Sequence, residues 1–219
     1  MKRILENESL SLVINSYGAC VEEFSYKKNP IFFPKLITKI ENKLVTRGGM
    51  VPLLGDFLKE KDSLSSNIKS PWDIIKEDKD NLSLSLKVPN EEGFVLNFIE
   101  YRIEKSSLIA RLMIENLSKE DIFINPSFKA FFYLGGEFKI SGLEGEDFTK
   151  SKLLKKDYIN LFTKYNDIEI FSKNLDEFSI WTDSYGDYLC IGPIINSSKD
   201  KSILKMGQTF KAEVRIKIK

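Results

Sequence analysis

The carboxyl-terminal stretch FKAEVRIKIK, residues 210–219, decides the fold class of this chain. Apolar and charged side chains alternate along it with a period of two, so one face is apolar and the other is charged. The stretch LSLSLKV, residues 82–88, has the same period, with serines on its polar side. This pattern is typical of β-strands that are buried on one face and solvated on the other, as in antiparallel sheets.

Less regular strands are predicted along most of the remaining chain, at 10–15, 20–26, 94–104, 107–116, 120–133, 137–142, 177–183 and 187–195. Gly, Pro and Asn residues between them predict turns. Within 94–104 the apolar phase slips by one residue, which predicts a bulge or a bend. Helical periodicity is scarce, with one short candidate at 55–62. Many short strands at this spacing predict an all-β sandwich or barrel, and 219 residues fit a single domain, 1–219.

The charge of the chain is nearly balanced. It has 33 basic and 32 acidic side chains, a formal net charge of +1, and only five of the basic residues are Arg. A dedicated nucleic-acid binder normally has a strong basic excess, so we expect no nucleic-acid partner. Hydrophobic residues make up 42% of the chain, enough for a sizeable core.

The chain contains no histidine. This excludes Ser-His-Asp and Cys-His catalysis, an HExxH zinc site and an imidazole general base. Cys20 and Cys190 cannot form a zinc site alone, and both fall in apolar runs that predict buried free thiols. The amino terminus lacks a signal-peptide core, and no uncharged apolar stretch approaches the ~20 residues that span a bilayer. We therefore expect a cytoplasmic protein with no membrane partner.

Three local patterns suggest a binding site. Arg47 precedes Gly48-Gly49, where small residues permit close approach of the backbone to a ligand and the guanidinium can bind phosphate or carboxylate. The alternative is a turn with an exposed charge. Lys69 and Trp72 could form a sugar-stacking platform, although a tryptophan beside a strand is commonly a core residue. Lys129 lies among aromatics in 126–133, so it either reaches the solvated edge or faces a polar pocket.

Paired carboxylates are a weak signal in a chain with 32 acidic residues. Asp183 and Asp187 form such a pair, but turns favour Asp in any case. No stretch matches a calcium loop, a phosphate-binding loop or a dinucleotide fingerprint, so no metal or cofactor site is predicted.

Taken in order, several segments resemble motifs of the aldose 1-epimerase superfamily, especially its hexose-6-phosphate mutarotase branch. The segments are Tyr17–Phe24, Arg47–Pro52 with Gly55, Ser70–Asp73, Ile140–Gly145, Trp181 with Tyr188–Pro193, and Leu204–Gln208. They correspond to the family patterns G-A-x-[VL]-x-[SE], R-G-G-I-P-…-G, H-G-F-A-R-x-S-x-W, V-x-G-L-x-G, W…[VY]-x-C-[VI]-E-P and L-x-P-G-E. The likeness spans nearly the whole chain in the family's order.

The resemblance implies an antiparallel supersandwich of the galactose mutarotase type, with a sugar groove on the concave face of a sheet. Enzymes of the family interconvert sugar anomers without a cofactor. In them a carboxylate removes a proton from the anomeric hydroxyl while a histidine protonates the ring oxygen. In this chain Lys129 stands at the position of that histidine and Gly192 at that of the glutamate. The family's H-G-F-A-R His and Arg fall in 64–69, where Lys69 is the only cation, and Arg47 is retained.

Three functions remain open from the sequence. The first is a protein that binds a sugar or sugar phosphate through Arg47, Lys69, Trp72 and Lys129 and has lost the family's chemistry. The second is an active epimerase with a relocated acid–base pair, for which Asp183 or Asp56 could supply the base. The third is an interaction module whose groove is filled by aromatics such as Phe131, Phe132 and Tyr133. Loss of one positioned proton-transfer group lowers rates by ~10²–10⁴, so loss of both argues against the inherited mechanism.

Overall fold

The computed structural model describes residues 1–40, 43–54, 66–90, 92–195 and 202–219. These residues form 21 β-strands and one short 3-10 turn, Ser66–Lys69, and they contain no α-helix. In chain order the strands are β1 (Lys2–Glu6), β2 (Leu10–Asn15), β3 (Cys20–Tyr26), β4 (Asn29–Pro30), β5 (Leu36–Ile40), β6 (Lys43–Arg47), β7 (Met50–Leu53), β8 (Asp73–Glu77), β9 (Asn81–Asn90), β10 (Gly93–Glu104), β11 (Ser107–Asn116), β12 (Ile122–Ile124), β13 (Ser127–Tyr133), β14 (Lys139–Ile140), β15 (Lys152–Leu154), β16 (Tyr158–Phe162), β17 (Asp167–Lys173), β18 (Glu177–Trp181), β19 (Tyr188–Ile194), β20 (Ser202–Leu204) and β21 (Thr209–Ile218). The predicted all-β class is confirmed.

Two large antiparallel sheets contain most of these strands. The nine-stranded sheet has the order β1-β2-β3-β7-β13-β19-β18-β15, with β4 on β3. The eight-stranded sheet has the order β14-β16-β17-β21-β11-β10-β9-β8. Two ribbons, β5–β6 and β12–β20, complete the described strands. Both sheets place strands that are distant in sequence side by side, so residues from far-apart segments share a face.

The core lies between the two sheets and is built by the period-two alternation. On β21 the apolar residues Ala212, Val214, Ile216 and Ile218 are at most 5% exposed, while the charged residues between them face outward. Residues such as Phe128 of the nine-stranded sheet join the same cluster. Burying one large apolar side chain contributes about 1.5–3 kcal/mol, so this cluster is the main source of stability.

The predicted bulge in 94–104 is wrong. β10 keeps one uninterrupted register with both neighbours, from Val95 opposite Val88 to Arg102 opposite Asn81 on the β9 side. The slip in apolar phase arises because Phe94, Leu96 and Phe98 lie on the face of the eight-stranded sheet that points away from the core, where they are only partly buried. The inner face carries Val95 and Ile99 instead, together with a buried asparagine, Asn97.

Several strands have no clear signal in the sequence. β8, β16 and β17 are examples, and β8 has the burial pattern of an exposed edge, with one partly buried residue among five. The helix predicted at 55–62 lies outside the described residues. Cys20 and Cys190 are both buried and free, which confirms that prediction. Within the described ranges no helix has the length and hydropathy that crossing a bilayer requires.

Strand β13 occupies the middle of the nine-stranded sheet, between β7 and β19. Its alternate residues Phe128, Ala130 and Phe132 belong to the core. Side chains of a strand point alternately to the two faces, so Lys129 and Phe131 lie on the face that points away from the core. We call this surface the outer face of the nine-stranded sheet, and the candidate site lies on it.

Candidate functional site

The two glycines after Arg47 lie where the backbone passes very close to two other segments of the chain, at Pro34 and at Val21. Gly48 and Gly49 have φ values of +92° and +69°, in the left-handed region. A Cβ on Gly48 would lie 2.3 Å from the carbonyl oxygen of Pro34, and one on Gly49 would lie 2.2 Å from that of Val21. Glycine is therefore required at both positions, and the close approach is to the chain's own backbone.

Arg47 is held firmly on the outer face. Its Nε donates hydrogen bonds to Asp183 Oδ2 and to the Tyr188 hydroxyl, each at 3.0 Å. The guanidinium carbon lies 4.9 Å from the centre of the Trp181 ring, within the range of a cation–π contact. The Arg47 and Asp183 side chains are only 16% and 21% exposed. The sequence suggested either a ligand-binding cation or an exposed charge in a turn; the structure shows a paired, largely enclosed guanidinium.

The Tyr188 hydroxyl completes a small network. It accepts from Arg47 and donates to Asp183 Oδ1 in a short hydrogen bond. Burial, with help from the Asp183 carboxylate, raises the pKa of Tyr188 well above its ordinary value. The phenol therefore stays protonated and remains a donor. Asp183 Oδ1 also accepts from the backbone N–H of Tyr185 at 3.1 Å, so both carboxylate oxygens are engaged.

Beneath this network lies a cluster of aromatic side chains that is separate from the main core. We call it the outer aromatic cluster: Phe33, Phe131, Trp181, Tyr188 and Cys190. The Phe131 ring lies 5.2 Å from the Tyr188 ring and 5.8 Å from the Trp181 ring, both edge to face. Phe131 and Tyr188 are 3% and 0% exposed, so side chains fill the floor of the site. Of the three aromatics suggested as a plug, Phe131 is in this cluster and Phe132 is in the main core, while Tyr133 packs against Phe33 at 6.5 Å.

Lys129 lies on the same face, two residues before Phe131 on β13, and is half-buried. Among the described residues it has no ion pair and no side-chain hydrogen bond. Burial raises the pKa of the Cys190 thiol to about 12, and the charges of Lys129 and Arg47 both act to lower it. Lys129 lies on the same face of β13 as Phe131 of the outer aromatic cluster, and Arg47 lies over the Trp181 ring of that cluster.

Gly192, on β19, lies beside Lys129. A Cβ at Gly192 would be 3.9 Å from the Cα of Lys129 and only 2.6 Å from the carbonyl oxygen of Phe128. Lys129 and Gly192, which the resemblance predicts to stand at the family's proton-transfer positions, are thus neighbours on adjacent strands. One carries an ammonium, and the other has no room for a side chain.

Lys69 and Trp72 are placed differently. Lys69 is exposed at the end of the 3-10 turn. Trp72 is 3% exposed in the main core, and its Nε1 donates to the carbonyl oxygen of Asn67 at 3.2 Å. The ring of Trp72 therefore has the environment of a core residue, the alternative that the sequence left open.

A second polar group lies on the same sheet, around Glu22. This carboxylate is buried and accepts from Lys2 at 2.8 Å, Lys35 at 3.1 Å and Asn15 at 3.1 Å. Burial alone raises its pKa, but the hydrogen bonds from these three residues outweigh burial and lower the pKa of Glu22 to about 2. The group borders a cleft of about 710 Å³.

Two residues of the site escaped the sequence reasoning. Tyr188 and Trp181 stand within the quoted W…C-[VI]-E-P likeness, but nothing local indicates that they contact Arg47. Asp183 was named from the sequence as part of a weak carboxylate pair and as a possible base, but its ion pair with Arg47, 136 residues away, was not predicted. In the described part of the chain, no group of three or more His, Cys, Asp or Glu residues could hold a metal ion.

Solved structures of known proteins share this fold. The Slr1438 protein from Synechocystis sp. PCC 6803 matches with a TM-score of 0.80 at 16% identity, covering 100% of this chain and 95% of that one. A galactose mutarotase related enzyme from Lactobacillus acidophilus matches with a TM-score of 0.78 at 14% identity, covering 100% and 97%. A galactose 1-epimerase from Lactobacillus acidophilus NCFM matches with a TM-score of 0.70 at 13% identity, covering 100% and 94%. No protein-family model matches the chain, and no curated protein sequence is significantly similar to it.

The chain has the fold of the galactose mutarotase-like proteins. The supersandwich predicted from the resemblance is confirmed. At 16% identity or less, this likeness shows the fold alone.

Proposed function

We propose that the protein binds a hexose or a sugar phosphate on the outer face of the nine-stranded sheet and lacks the family's acid–base chemistry. The observation that supports the proposal is that Arg47 lies over the Trp181 ring of the outer aromatic cluster, while Lys129 lies on the same face of β13 as Phe131 of that cluster. The two residues come from different motifs, and only the fold unites them. A cation pair beside aromatic rings suits a ligand with an anionic group and apolar C–H faces.

The parts of the site have complementary roles in this proposal. Trp181 is half-buried and already stacks against Arg47, so its ring offers a surface to a sugar. Arg47 is oriented by Asp183 and Tyr188, which limits the entropy lost when it meets a ligand. Lys129 supplies a positive charge without a partner among the described residues.

Gly192 and Lys129 support the proposed absence of acid–base chemistry. A glycine cannot remove a proton, and the contact with Phe128 leaves no space for a carboxylate there. Lys129 forms no ion pair with a carboxylate among the described residues. Without an acid and a base on opposite sides of the sugar, little acceleration of anomer exchange remains.

An active 1-epimerase is the second candidate, favoured by the presence of Asp183 at the same cluster as Lys129. Asp183 would be the base and Lys129 the acid. Both oxygens of Asp183, however, already accept hydrogen bonds from Arg47, Tyr188 and Tyr185. A proton taken up there would displace one of them, so we place binding first.

We also propose a cytoplasmic location. Support comes from the two cysteines, which are both free thiols in the structure. A reducing compartment maintains such thiols.

Two measurements test the proposed function. Calorimetric titration with glucose, galactose and glucose 6-phosphate is expected to show binding that weakens as salt is raised for any charged ligand. The variant Arg47→Lys keeps the charge but loses the Nε donor that bonds Asp183 and Tyr188 and orients the site, and it is expected to bind these sugars less tightly. Arg215→Lys, on the other sheet, is the matched control and leaves binding unchanged.

Magnetisation-exchange NMR on the same sugars measures anomer exchange directly. We expect rates equal to those in buffer. A clear acceleration that disappears in Asp183→Asn would establish the epimerase instead. No binding of any sugar together with no acceleration would support the filled-groove interaction module.

A further inference from the structure

We infer that the natural ligand of the outer-face site is a sugar acid with a single carboxylate, a hexuronate, bound with that carboxylate at Lys129. This inference rests on the proposed function and makes it more specific. It names a ligand class with one negative charge, in place of the neutral hexose and the doubly charged sugar phosphate.

The first step is the balance of charge in the site. Arg47 and Asp183 form an ion pair at 3.0 Å, and both side chains are largely enclosed. Their charges cancel within the network. Lys129 is half-buried and has no ion pair among the described residues. Counted over the described residues, the site therefore carries one uncompensated positive charge.

Lys129 is half-buried on the outer face of the nine-stranded sheet. A charged group that is partly withdrawn from water is stabilised by a partner of opposite sign. One negative charge on the ligand would neutralise this surface.

The geometry of Arg47 argues against phosphate. A guanidinium grips phosphate or carboxylate through two parallel N–H donors. The Nε of Arg47 already donates to Asp183 and Tyr188, so the side-on pair that includes Nε is occupied. A phosphate dianion would also bring a second negative charge close to Asp183, and like charges at such distances repel. A carboxylate bound at Lys129 brings a single negative charge, so Asp183 repels it less than a phosphate dianion.

A neutral hexose would leave Lys129 unpaired. The ammonium would lose part of its hydration when the sugar covered it and would gain only hydroxyl contacts. The carboxylate of a uronate restores the lost interaction in full, as a charge-assisted hydrogen bond. The discrimination therefore depends on one residue, Lys129.

The test compares three ligands of similar size: glucuronate, glucose and glucose 6-phosphate. Calorimetric titration at one ionic strength is expected to show glucuronate binding at least about tenfold more tightly than either of the others, the ratio expected for one charge-assisted hydrogen bond. In Lys129→Gln the advantage of glucuronate over glucose is expected to be lost, so that the ratio of the two affinities falls to about one. Lys129→Arg keeps the charge and preserves the advantage.

Lys69→Gln is the matched control, because Lys69 is an exposed lysine near the same sheet and is not part of the charge balance. It leaves all three affinities unchanged. Tightest binding of glucose 6-phosphate, or equal binding of glucose and glucuronate, overturns the inference and leaves the proposed function standing. An advantage of glucuronate that persists in a folded Lys129→Gln variant also overturns the role of Lys129. Absence of binding for all three ligands contradicts the proposed function itself.

Discussion

Lys129 and Gly192 face each other across adjacent strands, with the Lys129 Cα 3.9 Å from the place that a Cβ on Gly192 would occupy. On the other side that Cβ would come within 2.6 Å of the Phe128 carbonyl oxygen. The strands β13 and β19 therefore approach too closely at this point for any side chain on Gly192. No single substitution can place a carboxylate at this position without moving a strand.

We expect Gly192→Ala to lower the free energy of unfolding by about 1–3 kcal/mol, as overpacking of a filled site does. Gly192→Glu is expected to destabilise the protein further. Urea unfolding followed by circular dichroism measures both. Ser179→Ala, opposite Gly192 on β18, is the control and is expected to have a small effect. A Gly192→Glu variant as stable as the parent would show that the strands can separate here.

The ion pair of Arg47 and Asp183 should be energetically coupled, because both side chains are mostly enclosed. A double-mutant cycle with Arg47→Ala and Asp183→Ala is expected to give a coupling energy of about 1–2 kcal/mol in unfolding. The exposed pair Lys139 and Glu144 provides a comparison and is expected to show no measurable coupling. Equal coupling in the two pairs would contradict the enclosed network.

The lowered pKa of Glu22 predicts that the protein loses stability in acid. The pKa of this carboxyl is about 2 in the folded protein, because hydrogen bonds from Lys2, Asn15 and Lys35 outweigh the effect of burial, against an ordinary value of 4.5. A lowered carboxyl pKa contributes stability above the unfolded pKa, and this contribution is lost as the pH falls from about 4.5 to about 2. It amounts to at most about 3 kcal/mol, and solvent around the exposed lysines reduces it.

The measurement is the free energy of unfolding as a function of pH for the parent and for Glu22→Gln. The parent is expected to be the more stable near neutral pH, and the two curves are expected to converge in acid. Curves that stay parallel across this window would show that Glu22 titrates normally in the folded protein.

The two cysteines should be unreactive in the folded protein. Burial raises the pKa of Cys20 to about 11 and that of Cys190 to about 12. The reactive thiolate is therefore a very small fraction at pH 8, and access is limited as well. We expect slow labelling by a disulfide reagent, with Cys20 first because it is 9% exposed and Cys190 only 1%. In guanidinium both thiols should react rapidly, and equally rapid labelling of the folded protein would contradict the buried cluster.

Much of the fold could be read from local patterns. The strands β2 and β3 have the predicted bounds, and β21 follows the alternation of 210–219 to within one residue. These strands bury one face fully, so their apolar residues must recur with a period of two. β16 and β17 lie toward one edge of the eight-stranded sheet, and their alternation of apolar residues is too weak to predict a strand.

The site was predicted in part. Arg47 and Lys129 were chosen for their motifs; in the structure Arg47 lies over Trp181 of the outer aromatic cluster, and Lys129 lies on the same strand face as Phe131 of that cluster. Trp72 was a candidate too, but its ring is enclosed in the core. The residues that flank a tryptophan do not show whether its ring stacks on a ligand or packs in the core. Only its neighbours in space distinguish the two.

The alternation of apolar residues was sufficient to specify an all-β chain and the face of most strands, because burial of one face constrains every second residue locally. The order of the strands placed Tyr188 and Asp183 against Arg47, across 141 and 136 residues of chain. Contacts at that separation leave no local periodicity, since they depend on which strands pair and on how closely the pairs approach. The same long-range packing closed the space at Gly192 and left Lys129 without a counter-charge in the described residues.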